Sequence, residues 1–116
     1  MAEDCPPDEV FALLDDEYAR AILSATSYEP MTAPELSDQC DMSKSTVYRR
    51  LDKLEECSLV KAQHVLDPDG HHTKQYEAQL DELVVSLEEG QFDVSLQTAT
   101  RTEEFADVFT NLWEGL

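Results

Sequence analysis

Apolar side chains recur at helical spacing through the first half of the chain, alternate with polar ones through the middle, and return to helical spacing at the end. After Pro6-Pro7, the residues Val10, Phe11, Leu13 and Leu14 form one stripe, and Asp8 and Glu9 suit the first turn of a helix, where the dipole favours anions. Asp15-Asp16 interrupts the stripe. Ala19, Ile22 and Leu23 then mark a second helix that stops around Ser27-Tyr28-Glu29-Pro30. Thr32-Ala33-Pro34-Glu35 is a capping box, in which the hydroxyl takes an orphan amide and the carboxylate reaches back. A short helix through Leu36 to about Cys40 follows, and Asp41-Met42 turns. Ser43 is a second N-cap, opening a helix whose stripe is Val47, Leu51 and Leu54 and which reaches about Cys57. Two helices of unequal length joined by a tight turn form a helix-turn-helix.

Beyond Cys57 the period changes to two. Leu59 to Leu66 and Thr73 to Leu80 read as strands, and Asp67-Pro68-Asp69-Gly70-His71-His72 between them is turn chemistry, so this hairpin reads as a wing. A second hairpin is expected from Val85 and Leu87 before Glu88-Glu89-Gly90-Gln91 and from Phe92, Val94 and Leu96 after it, although Leu83-Val84-Val85 also suits the extension of a helix. Thr100, with Glu103 three residues on, caps a terminal amphipathic helix with Phe105, Val108, Phe109, Leu112 and Trp113 on one face. The fold class expected is α+β: a winged helix-turn-helix with a wing hairpin, a second C-terminal hairpin and a terminal amphipathic dimerisation helix.

Charge changes the picture. The 116 residues hold 26 acidic and 8 basic side chains, for a formal charge of −18. Six of the eight bases, Lys44, Arg49, Arg50, Lys53, Lys61 and Lys74, fall between residues 44 and 74, which hold five acids. Bases gathered in one segment of an otherwise anionic protein suggest a polyanion-binding site on a surface tuned for something else. The acid excess and scarcity of lysine are similar to those of proteins from salt-accumulating archaea. No apolar run exceeds Val10 to Leu14, far short of the roughly 20 residues that span a bilayer. The acidic start carries no basic stretch followed by an apolar one, so a cytoplasmic protein is expected, with no membrane association. Cys5, Cys40 and Cys57 show neither a CxxC pair nor a Cys/His ladder, so reduced thiols are expected, and neither a disulfide framework nor a zinc finger. Oxidation of Cys40 or Cys57, which flank the long helix, offers a route to redox control. With glycine only at 70, 90 and 115 there is no phosphate loop, and no catalytic triad or distinctive carboxylate pair stands out; an enzyme is not expected, and no cofactor is implied.

The segments Pro34-Glu35-Leu36, Met42 through Leu54 and Leu59-Val60-Lys61, with Phe11 to Glu17 and Ile22-Leu23 upstream, resemble the winged helix-turn-helix of ArsR-type transcriptional regulators of archaea and bacteria. The second hairpin and the ending Leu112-Trp113-Glu114-Gly115-Leu116 resemble a subgroup of small haloarchaeal regulators. The resemblance implies a homodimeric regulator of transcription that binds double-stranded DNA. The family's metal sensing does not carry over: residues Glu35 to Cys40 hold one cysteine in place of a Cys-x-Cys, and no histidine follows His72. A metal role for His64, His71 and His72 is not expected, and any small-molecule effector is unknown.

At about 100° per residue, Val47, Leu51 and Leu54 face the core while Ser45 and Arg49 point away, with Thr46 and Lys53 on one flank and Tyr48 on the other. Asp52 and Glu56 confine anion binding to the amino-terminal half of this helix, as in a recognition helix that enters a major groove by its first turns. Arg49 is the candidate for direct readout, since guanidinium grips guanine O6 and N7 together. Ser43, Lys44, Ser45, Thr46, Tyr48, Arg50 and Lys53 are candidates for phosphate and flanking contacts, and His71, His72 and Lys74 of the wing for the minor groove or backbone. Dimerisation is assigned to Val10, Phe11, Leu14, Phe105, Val108, Phe109, Leu112 and Trp113. The chain divides into an acidic disordered tail (1–7), a winged helix-turn-helix DNA-binding domain (8–80) and a hairpin with a C-terminal dimerisation helix (81–116). The competing reading is an acidic winged-helix module that binds protein, or a nucleic-acid mimic acting as an antagonist in transcription; such a mimic has no use for the Lys44 to Lys53 cluster.

Overall fold

Helix α1 (Pro7–Asp15) begins at a proline that supplies the fixed φ of a first helical position, with Asp8 and Glu9 in its first turn. The computed structural model describes residues 5–66 and 68–98. Asp16 ends α1 and opens α2 (Glu17–Tyr28), its carboxylate accepting from the amides of Tyr18 and Ala19. A one-residue junction forces the two helices to cross, which turns the stripes of both inward.

A two-residue strand β1 (Met31–Thr32) follows, then α3 (Ala33–Gln39), with the capping box formed as expected: the Thr32 hydroxyl accepts from the Glu35 amide, and the Glu35 carboxylate from the Thr32 amide. Asp41, at φ 52°, makes the sharp turn, and Ser37 Oγ donates to the Met42 carbonyl at 2.6 Å. Helix α4 (Lys44–Glu56) is capped by Ser43, whose hydroxyl accepts from the Thr46 amide. Its far end is closed by Ser58 at φ 60°, with the Leu59 amide on the Leu54 carbonyl and the Ser58 amide on that of Glu55. This bond pair brings Leu54 and Leu59 together, both fully buried.

Strands β2 (Val60–Leu66) and β3 (His72–Ala78) form the wing, and β1 adds to β3 in an antiparallel sheet of order β1-β3-β2. The pairing of Met31 with Tyr76 was not legible in sequence, because two residues cannot display an alternation. The expected strand to Leu80 breaks at Gln79: the amides of Gln79 and Leu80 both donate to the Leu59 carbonyl, and Leu80 starts the next strand. Strands β4 (Leu80–Glu88) and β5 (Gln91–Thr98) make the second hairpin, so Leu83-Val84-Val85 is strand, not helix. Glu89 and Gly90 both hold positive φ, 52° and 82°, as the favoured two-residue hairpin turn requires.

The core gathers Ile22, Leu36, Val47, Leu51, Leu54 and Leu59, each with no exposed surface. Each such side chain contributes about 1.5–3 kcal/mol on burial. Thr26, the buried polar side chain among them, donates its hydroxyl to the Ile22 carbonyl at 2.8 Å.

One expectation is overturned. Cys5 and Cys57 are joined in a disulfide across 52 residues of sequence, and Cys40 is the free cysteine among the described residues. Pro6-Pro7 turns the chain directly into α1 and seats Cys5, also buried, over the end of α4. No spacing rule could have shown a contact set by helix packing.

Candidate nucleic-acid interface

The side chains of α4 divide as the helical wheel requires, Val47, Leu51 and Leu54 inward and Lys44, Ser45 and Arg49 exposed. Ser43 and Thr46 are joined by a hydroxyl–hydroxyl bond of 2.9 Å, with Ser43 Oγ 3.3 Å from Ser45 Oγ, so the first turn of α4 presents a linked cluster of hydroxyls. Tyr48, 48% exposed, stands on the flank facing the wing. There it lines a groove of about 350 Å³ with Thr32, the N-cap of α3, Pro34 of α3 and His72, Thr73 and Lys74 of β3. The structure thus brings Tyr48 of α4 together with the wing candidates His72 and Lys74, which follow it by 24 and 26 residues in sequence. Lys74 holds its ammonium 5.5 Å from the centre of the Tyr76 ring, which fixes the base at the groove edge. His71 precedes β3 in the exposed turn.

Arg50 and Lys53 lie on the opposite flank. The Arg50 guanidinium pairs with Asp16 and sits 5.6 Å from the centre of the Tyr18 ring, so it links α4 to the α1–α2 junction. Lys53 lies 3.8 Å from Glu56 and borders a hollow of about 220 Å³ with Glu9, Asp16 and Arg50. Burial pushes the Asp16 carboxyl upward, but the Tyr18 and Ala19 amides and Arg50 together outweigh it and hold its pKa below the ordinary value. Of the remaining bases, Lys61 is exposed, and Arg20 donates to the Leu14 carbonyl at 2.8 Å.

Sequence reasoning missed Thr32 and Pro34 as walls of the groove; the capping box announced them as a helix start without showing what they face. Thr73, expected only as the start of the second wing strand, lines the groove and donates to the Val65 carbonyl at 3.2 Å. Cys40 is half-buried, and burial pushes its thiol pKa up, which disfavours the reactive thiolate just before α4.

Of the residues assigned to dimerisation, Val10 is spent in the core of the chain itself, and Phe11 and Leu14 are partly buried against that core. Phe105, Val108, Phe109, Leu112 and Trp113 lie outside the described residues. The second hairpin pairs Val85 with Val94 and Leu87 with Phe92 on one face; Val94 is buried, whereas Val85, Leu87 and Phe92 are 45%, 59% and 62% exposed.

No helix among the described residues is long and apolar enough to cross a membrane. No curated protein matches the chain. Residues 14–62, from the end of α1 to the start of β2, match the family model described as a helix-turn-helix domain. The match and the fold meet on the same elements: the chain carries a helix-turn-helix domain of the kind that serves DNA-binding regulators.

Proposed function

We propose that the protein is a sequence-specific transcriptional regulator of the ArsR-like winged class, acting in the cytoplasm as a homodimer adapted to high salt. The observation that carries this reading is the groove between α4 and the wing, where Tyr48, His72 and Lys74 meet beside the exposed Lys44, Ser45 and Arg49. Arg49 reads a base edge, while Lys44, the capping hydroxyls and Lys74 hold phosphates on either side. Arg50 and Lys53 act from the far flank, Arg50 chiefly by fixing the angle at which α4 is presented.

The test begins with selection of bound duplexes from a random library, followed by affinity measurements on the enriched site. Arg49→Ala weakens specific binding by about 1–3 kcal/mol and relaxes preference at one position, with melting unchanged. Affinity within twofold of wild type removes Arg49 from the interface. Failure to enrich any duplex favours the protein-binding reading.

Dimerisation supplies two recognition helices spaced for half-sites about one DNA turn apart. The stripe Phe105, Val108, Phe109, Leu112 and Trp113, with Phe11 and Leu14 at the margin of α1, is the surface proposed for it. Phe109→Asp combined with Trp113→Asp gives a folded monomer with weaker operator binding; light scattering in molar potassium chloride checks this, and a wild type already monomeric defeats it.

A further inference from the structure

The Cys5–Cys57 pair stands apart from the DNA face, beside a cavity of about 160 Å³ bordered by Val10, Asp93, Val94 and Leu96. Glu9, one turn into α1, brings a carboxylate oxygen to the same place: it and the two sulfurs lie within 4.8 Å of one another. The Glu9 carboxylate has no hydrogen-bond or ion-pair partner among the described residues. Both cysteines are buried, and Cys57 is the C-cap of α4, where the helix dipole presents its negative end. No lysine or arginine lines the cavity. A disulfide in a reducing compartment is usually transient, so the dithiol is a working state of a cytoplasmic protein. Opened, the pair leaves two thiols on this hollow, with the Glu9 carboxylate, which also borders the neighbouring hollow of Arg50 and Lys53, within reach of both sulfurs.

We propose that the reduced Cys5–Cys57 pair and Glu9 form a binding site for a thiophilic divalent cation of the zinc type, which the disulfide closes. Two sulfurs and one carboxylate oxygen are a donor set for zinc, cadmium or cobalt rather than for magnesium or calcium. Once the sulfur–sulfur bond opens, ligands at roughly 2.0–2.3 Å from one ion need separations of about 3.3–3.8 Å, which the present spacing allows with small movements. The cavity supplies room for a fourth ligand, water or the Asp93 carboxylate at its rim. The chemistry balances simply. A dithiol reductant gives two electrons and two protons to the disulfide and leaves as its own disulfide; the two protein thiols then release two protons to solvent as the dication binds. The site ties the first turn of α1 to the end of α4, so occupancy and oxidation are alternative clamps on the same joint. This inference rests on the cytoplasmic location proposed above and not on DNA binding.

The full-length chain, reduced with a phosphine and kept free of oxygen, is titrated with cobalt(II) and, in competition, zinc(II). A sulfur-to-cobalt charge-transfer band is expected at one equivalent, displaced by zinc, and absent from the unreduced chain. Cys5→Ser abolishes it, Glu9→Gln weakens cobalt binding about tenfold or more, and Cys40→Ser leaves it unchanged. In the wild type, zinc protects Cys5 and Cys57 but not Cys40 from alkylation, a readout that needs no variant to fold. No band in the reduced wild type, a band that survives Cys5→Ser, or equal alkylation of all three cysteines with and without zinc overturns the proposal. An unchanged affinity in Glu9→Gln removes Glu9 and with it the site as drawn.

Discussion

Asp16 concentrates several of the fold's requirements in one carboxylate. It caps α2 through two amides and pairs with Arg50, so it fixes both the crossing of the first two helices and the seating of α4. Because its pKa is lowered in the folded state, the charged form stabilises the protein at every pH above the ordinary carboxylate range, and that contribution is lost as pH falls through the folded value. Asp16→Asn keeps an acceptor for the cap but removes the charge. Melting curves of wild type and Asp16→Asn are therefore expected to differ most near neutrality and to converge below about pH 4. Asp16→Ala, which loses the cap as well, costs a further 0.5–2 kcal/mol or so at neutral pH. Parallel curves for wild type and Asp16→Asn down to pH 2 would show that the charge contributes nothing.

At the scale of elements, legibility followed the length of the pattern. Helices α2 and α4 were readable because Ala19, Ile22 and Leu23, or Val47, Leu51 and Leu54, recur at helical spacing, and because the Ser43 hydroxyl announces the start of α4. The wing was readable from its turn, and the fold class was correct. Strand β1 was not, for want of residues, and the start of β4 was not, because Glu77 to Asp81 alternates much as β3 does and only the double donation to the Leu59 carbonyl separates them. Within the site, the outward set on α4 followed from helical angle alone, whereas the inward commitment of Arg50 depends on Asp16, 34 residues away. The end of α4 makes a further prediction. Ser58 occupies the left-handed position after the C-cap, which glycine fills without steric cost. Ser58→Gly should raise the stability of the whole domain by about 0.5–1 kcal/mol in denaturant melts, because the strain relieved exceeds the added freedom of the unfolded chain. Ser58→Ala should give no such gain; equal stability for all three would show that the turn is not strained.

For the molecule as a whole, the question is how a chain of charge −18 approaches a polyanion. The exposed bases Lys44 and Arg49 stand on α4 and Lys74 on β3 of the wing, while residues 1–43 hold eleven acids against Arg20, and residues 75–116 hold ten against Arg101. A regulator making about five phosphate contacts releases counterions from DNA and loses affinity with a log–log salt slope of roughly −4 to −5. Here the acidic surface must accumulate cations as it nears the duplex, since the DNA field and its own field add in sign. Cation uptake by the protein runs opposite to cation release by the DNA, and with 18 net negative charges against a few basic contacts the two are comparable. The specific affinity should therefore be flat, or rise, as potassium chloride increases towards molar concentration. Titration of the selected duplex across that range decides it. A slope as steep as −4 would mean that the acidic surface lies electrostatically outside the complex, and that its excess charge serves solubility alone.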